Sequence, residues 1–296
     1  MADGGEGTLD ALGGPNRETL VTGPLGDPVT ASWRLNGSEA FIEMARASGL
    51  MIAGGPEGND PIAASTTGTG ELIAEAVDAG ARRVVVGMGG SATTDGGFGA
   101  LRAMYPLQRF RGVELIAACD VRTTFLDAAE VFAPQKGASP AQVELLRRRL
   151  ERLAQLYEDE YGVDVRTMAR TGAAGGLAGG LAAVGARLVD GFEFVAEKLS
   201  LYDHIAEADL VVTGEGFLDA QSFEGKVVGG VAELAAVAGV PVLAVVGDIY
   251  DGADKRLDAG FEAVSLVRTY GADRPFADPV GCIEAVVAER VAERMS

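Results

Sequence analysis

Short apolar runs bounded by glycine recur along the chain, and stretches with helical spacing separate them. The run from Arg83 to Gly90, RVVVGMGG, reads as a buried strand that ends in glycine. Gly112 to Val121, Glu207 to Gly216 and Val240 to Asp248 read the same way. Apolar positions three and four apart predict helices starting at Gly70, Pro140 and Val227. The second of these is bracketed by Ser139 as an N-cap, Pro140 at the first helical position and Gly162 past the end. Val21 to Gly37 predicts two antiparallel strands around a Gly-Asp-Pro turn. Strands alternating with helices imply an α/β fold. The texture divides it into a mixed α/β domain over residues 1–201 and a parallel α/β domain over 202–296.

Composition narrows the functions open to such a fold. Asp and Glu number 43 against 25 Lys and Arg, for a formal net charge of -18. Nucleic-acid binding draws on clustered cations that release counterions, so this balance argues against a nucleic-acid partner, and for the same reason against a membrane surface. No run reaches the ~18 apolar residues of a membrane span, and the first residues lack the pattern of a signal peptide. Cys119 and Cys282 form neither a disulfide framework nor a zinc site by spacing, so a reduced, cytoplasmic setting is expected. The one histidine, His204, lies in a helix-like stretch and is expected at the surface. Arg147 to Arg149 face glutamates at helical spacing and predict a solvated, ion-paired helix face.

Candidate chemistry gathers in the glycine clusters. Directly after a strand comes GGSATTDGG, in which Gly89, Gly90, Ser91, Ala92, Thr93, Thr94 and Asp95 offer backbone N–H groups, three hydroxyls and a carboxylate. A glycine-rich strand-to-helix turn of this kind predicts an anion or phosphate site. Gly87, Gly89 and Ala92 also satisfy a loose dinucleotide pattern, but no acidic ribose ligand follows at the expected distance. TTGTGEL, with Gly68, Thr69 and Gly70, is a second loop of the same texture. Thr213 to Lys226 carries Glu215, Asp219, Gln221 and Lys226 after another strand, without a Walker A frame. Lysine occurs only four times, so Lys136 and Lys226, both in glycine-rich motifs, stand out. Acids outnumber cations in these loops, which fits phosphoryl chemistry only where Mg²⁺ screens the phosphates.

Taken in order, seven motifs resemble the bacterial-type glycerate kinase family, which is unrelated to P-loop kinases. They are ADGGEGT from Ala2, the Thr66–Ile73 segment, GMGGSATTDGG from Gly87, ACDV from Ala118, PQKGA from Pro134, GAAGGL from Gly172 and the Thr213–Lys226 segment. The resemblance implies two α/β domains, one flavodoxin-like, with the active site between them, and transfer of the ATP γ-phosphoryl group to a hydroxyl of glycerate with Mg²⁺. It favours the 2-hydroxyl over the 3-hydroxyl and leaves room for a homodimer. On this footing Asp3 and Glu6 are expected as acid/base groups or substrate contacts. Asp120, Glu215 and Asp219 are expected to ligate Mg²⁺ or accept the hydroxyl proton, and Lys136 and Lys226 to stabilise the transferring phosphoryl group. Gly68 to Gly70, Gly89 to Asp95 and Gln221 are expected to bind phosphate or substrate.

Three departures from the family pattern carry consequences. Family members usually open with a strand, loop and helix carrying a motif like APDSFKGS ahead of ADGGEGT, whereas here Met1 stands one residue before it. The expectation is a flavodoxin-like domain without its first strand-helix portion, and a non-catalytic binder of glycerate or nucleotide is the alternative function. Phe217 stands where many relatives carry arginine, and the usual asparagine-proline-leucine after ACDV is missing, which bears on the substrate.

Overall fold

The computed structural model describes residues 1–223, 227–250 and 260–295, and the chain divides into two units, Met1–Val195 and Ala196–Ser296. The first is built on a six-stranded sheet of β1 (Arg17–Thr22), β2 (Pro28–Asn36), β3 (Glu39–Glu43), β4 (Arg83–Gly87), β5 (Glu114–Cys119) and β6 (Arg187–Asp190), paired in that order. β1 and β2 form the expected hairpin, closed where Gly23 N–H donates to Asp27 O at 2.7 Å. β3 runs antiparallel to β2, and β3 to β6 are parallel.

Parallel strands added in sequence order by crossovers of one hand place the connecting helices on one face. The core follows that rule. Ile42, Val84, Val86, Ala117 and Cys119 point into the main cluster with Leu72 and Ile73 of the Thr67–Asp78 helix, Leu101 of Phe98–Ala103, Leu146 and Leu150 of Pro140–Tyr161, and Leu177 and Leu181 of Leu177–Ala183. Their neighbours Phe41, Val85 and Ile116 point the other way, under Leu9, Leu12 and Phe194. This two-residue alternation is what a pleated strand imposes. The long Pro140–Tyr161 helix starts with a full capping box between Ser139 and Gln142 and ends on Gly162 at φ 71°. Arg147 pairs with Glu144 and Glu151, and Arg148 with Glu144, so most of the basic run is the ion-paired face that its spacing predicts.

The second unit carries β7 (Val211–Leu218), β8 (Val242–Ile249) and β9 (Phe261–Ser265), parallel and adjacent in that order. Ala244 and Val246 of β8 pack with Val228 of the Val227–Ala238 helix, while Leu243 and Val245 pack with Cys282 and Val286 of the Pro279–Met295 helix. Helices therefore cover both faces, as in a doubly wound sheet. β6, β9 and the Pro279–Met295 helix are elements that the sequence pattern left unassigned. Among the described residues no helix is long and apolar enough to cross a membrane.

Candidate active site

Strand register brings the carboxyl ends of the parallel strands level. Glu43 pairs with Gly87, Gly87 with Ala118, and Cys119 with Asp190. Across this end lies the N-terminal loop Asp3–Gly7. A Cβ on Gly4 would lie 2.9 Å from Ala118 O, one on Gly89 would lie 2.5 Å from Gly5 Cα, and Gly90 sits directly against the Glu6 carboxylate. Glu43 holds the loop in place. Buried at the end of β3, it accepts Leu9 N–H at 2.7 Å and pairs with Arg46 at 2.7 Å. Asp3 is half-buried and accepts Gly5 N–H at 3.2 Å, whereas Glu6 is exposed. The same fit removes the dinucleotide reading of Gly87, Gly89 and Ala92. The backbone approach that a pyrophosphate would need is taken by the protein's own Gly4 and Gly5.

The Gly89–Asp95 loop is arranged differently from an open phosphate cradle. Ser91, Ala92, Thr93 and Thr94 are all buried, leaving Gly89, Gly90 and Asp95 accessible. Ala92 N–H donates to Ser48 O at 3.0 Å, and Leu50 N–H to Gly90 O at 2.9 Å. Under the loop lies Lys136, 3% exposed, whose ammonium donates to Ser91 Oγ at 2.8 Å and to Thr93 O at 2.7 Å. Burial pushes its pKa down to about 7, with the nearby Asp95 carboxylate opposing the shift. Asn59 ties both partners from the side, its Nδ2 donating to Ala92 O at 3.0 Å and Lys136 O at 2.9 Å. The hydroxyls of Thr93 and Thr94 are buried without a hydrogen-bond partner among the described residues. Buried polar groups left so are uncommon and mark places where a ligand or water completes the structure.

Asp95 serves the protein's own backbone. Its Oδ2 accepts Thr66 N–H and Thr66 Oγ1–H, each at 2.8 Å, and Gly99 N–H at 3.2 Å, while Oδ1 accepts Gly97 N–H at 3.1 Å. It thereby holds the amino ends of the Thr67–Asp78 and Phe98–Ala103 helices together, where helix dipoles favour a negative charge. The Gly68–Gly70 segment also needs correction as a phosphate loop, because it is buried in packing. A side chain on Gly68 would strike Thr22 O, one on Gly70 would strike Ala100 O, and the Thr69 hydroxyl is 2.9 Å from that of Ser48. Glu71 completes the docking by accepting Thr22 N–H at 2.6 Å and Thr22 Oγ1–H at 2.9 Å.

Asp120 follows the end of β5 and is half-buried. Beside it is a residue that the motifs did not single out, Arg170. Its guanidinium donates to Cys119 O and to Asp190 Oδ2, each at 2.8 Å, clasping the carboxyl ends of β5 and β6. Arg170 holds a left-handed φ of 75°, a conformation costing roughly 1–2 kcal/mol for a non-glycine residue. Ala174, four residues on, has φ 53°. The one advance signal was position, since Arg170 opens the RTGAAGG motif. Burial pushes the Cys119 thiol up to about 12, so it is no nucleophile at neutral pH.

In the second unit Glu215 lies on β7 opposite Val246, and Asp219 follows the strand. Asp219 Oδ1 accepts Ser222 N–H at 3.0 Å and so shapes the Ala220–Phe223 turn. Gln221 lies in that turn, and Lys226 lies outside the described residues. Phe217 stacks on Tyr250 with ring centroids 5.3 Å apart. His204 is exposed on the Leu201–Ala206 helix, as expected. No group of three or more His, Cys, Asp or Glu side chains converges on one point among the described residues.

A model described as the glycerate kinase family matches residues 1–105 and 106–284. The chain belongs to the glycerate kinase family. Glycerate 2-kinase of Escherichia coli strain K12 is 38% identical over 307 residues, covering 91% of this chain and 80% of that protein. Glycerate kinase of Haemophilus influenzae is 39% identical over 302 residues, covering 89% and 80%. The crystal structure of a protein described as glycerate kinase 2 from Salmonella typhimurium LT2 superimposes with a TM-score of 0.74 at 34% identity. That match covers 98% of this chain and 88% of the Salmonella chain. Glycerate kinase family membership makes the chain a phosphotransferase enzyme and accounts for its two-unit α/β architecture.

Proposed function

We propose that the protein transfers the γ-phosphoryl group of ATP to the 2-hydroxyl of glycerate. The observation that supports this reading best is the buried ammonium of Lys136 beneath the Ser91–Thr94 loop. It supplies a buried amino group that can carry positive charge in an acidic chain, at the carboxyl ends of parallel strands, where open α/β sheets bind ligands. The Escherichia coli relative named glycerate 2-kinase supports the choice of hydroxyl.

Lys136 acts at one remove, since its partners are Ser91 and Thr93. It positions the loop and sets a positive field under it. Glu6, against Gly90, suits a hydroxyl of glycerate better than a phosphate, because a carboxylate repels an unscreened anion. Asp3 and Asp120 are then the candidates to take the hydroxyl proton, with Arg170 fixing the backbone beside Asp120. Lys226, which lies outside the described residues, is proposed to stabilise phosphoryl charge. Asp120 in the first unit, and Glu215 and Asp219 in the second, each offer the carboxylate chemistry that Mg²⁺ takes, one or two carboxylates per ion with water and phosphate oxygens completing its shell. When bound, Mg²⁺ neutralises phosphate charge.

Coupled ADP release with Mg-ATP and a panel of small hydroxy acids tests the reading. Release with glycerate, and 2-phosphoglycerate as the product by NMR, is the expected result. ADP binding without release under any acid would make the chain a non-catalytic binder and overturn the proposal.

A further inference from the structure

A cavity of about 590 Å³ opens beside the Gly89–Asp95 loop, on the scale of small-molecule sites, which run from ~300 to 1,000 Å³. Its walls are mostly apolar. Ile62 contributes from one segment, Leu153 and Leu156 from the Pro140–Tyr161 helix, and Phe98 from the start of the Phe98–Ala103 helix. Thr94 lines it too, 1% exposed, and its hydroxyl has no hydrogen-bond partner among the described residues. In a chain of net charge -18 this neighbourhood is rich in arginine. Arg149 and Arg152 line the cavity together with Asp95 and Asp159, and the Arg102 guanidinium lies 5.7 Å from the centroid of the Phe98 ring. Arg149 is committed to Ile62 O at 2.9 Å, whereas Arg152 is exposed at the rim.

We propose that this cavity seats the nucleoside part of the ATP phosphoryl donor. The inference rests on the ATP reading of the proposed function. A nucleobase presents flat apolar faces and a hydrogen-bonding edge. Phe98, 41% exposed, gives the faces a ring to stack on. The Thr94 hydroxyl, able to donate or accept, gives the edge a partner. Arg152 gives the polyphosphate a cation, and a guanidinium suits phosphate oxygens in geometry as well as charge. Thr94 and Ser91 stand three residues apart in one loop, so the nucleoside site and the Lys136 centre share a single structural support. The second unit has a cavity of similar size, about 600 Å³, lined by Val212, Glu215, Phe217, Leu266, Phe276 and other mainly apolar residues, with no lysine or arginine among the described residues.

The test is ADP binding to the full chain by calorimetry in the presence of Mg²⁺, alongside steady-state kinetics. Leu153→Trp fills the cavity, and Arg152→Glu reverses the rim charge at an exposed site. Each folded variant is expected to weaken ADP binding at least tenfold while the KM for glycerate moves less than twofold. Thr94→Val is expected to narrow the discrimination between ADP and GDP. Irradiation of the wild type with 8-azido-ADP is expected to label peptides carrying Phe98 or Leu153. ADP affinity within twofold of wild type in folded Leu153→Trp and Arg152→Glu would overturn the cavity assignment and leave the kinase reading standing. A wild-type chain that binds no adenine nucleotide would overturn both.

Discussion

The Lys136 ammonium sits 2.8 Å from the Ser91 hydroxyl, across 45 residues of sequence, and fixes the loop that follows β4 from below. It meets Thr93 O as well, so one buried cation sets two acceptors, two residues apart, of a loop that the sequence marks as chemical.

Removing that cation should therefore cost activity more than fold. Lys136→Met is expected to lower kcat/KM about 10²-fold, the scale of losing a well-placed electrostatic group. Stability against pH supplies a separate check. The folded-state pKa of about 7 lies below the ordinary lysine value of 10.5, so between those values the unfolded chain holds a proton that the folded chain lacks. Stability conferred by this site then rises with pH across that window and is flat below it. Chemical denaturation at pH 6, 7.5 and 9 should show the difference between wild type and Lys136→Met growing in favour of the wild type. A flat difference would show that the ammonium stays charged throughout.

Asp95→Asn tests whether Asp95 is a brace or a ligand. The carboxylate accepts from five protein groups, the Ser65 hydroxyl at 3.5 Å being the longest, and the amide would turn an N–H toward donors. The expected loss is about 1.5–3 kcal/mol of stability, the range for hydrogen bonds to a charged group. Denaturant melts measure it. Full stability with weakened nucleotide binding would instead make Asp95 a ligand.

What could be read in advance follows the range of the interactions involved. β4 was visible because Val84, Val85 and Val86 form a buried run closed by Gly87, and the long helix because Ser139, Pro140, Gln142 and Gly162 are local stop and start signals. β6 escaped because Arg187–Asp190 is short and only partly buried, so neither an apolar run nor a clean alternation marks it. Motifs located the Lys136 loop but not its orientation, since burial of Ser91, Thr93 and Thr94 depends on Asn59 and Lys136 arriving from elsewhere. Glu43 and Arg170 were invisible for the same reason: their partners Leu9 and Cys119 lie 34 and 51 residues away.

Glu43→Gln should loosen the N-terminal loop. The substitution removes the charge that pairs with Arg46 and weakens the acceptor for Leu9 N–H. Hydrogen exchange is expected to accelerate at Leu9 and through Asp3–Gly7, with exchange in β4 unchanged. Equal protection in the variant would show that packing of Leu9 alone holds the loop.

Gly175 offers the sharpest test of how tightly the site loop is built. It has φ 64°, its Gly175 O accepts Gly96 N–H at 3.0 Å, and a Cβ there would collide with Thr93 O and lie 2.7 Å from Thr94 Cα. Gly162 makes the control, having φ 71° and nothing within 4 Å of an added Cβ. Alanine at Gly162 meets the left-handed backbone cost alone, roughly 1–2 kcal/mol. At Gly175 the same cost is joined by overpacking of about 1–3 kcal/mol, and the clash falls on the carbonyl that Lys136 holds. Gly175→Ala is therefore expected to be the less stable variant in denaturant melts and to lose turnover out of proportion to that loss, while Gly162→Ala keeps wild-type kcat. Equal stability and equal kcat in the two variants would mean that the Thr93 carbonyl can move freely, and that the loop is not the rigid support assigned to it.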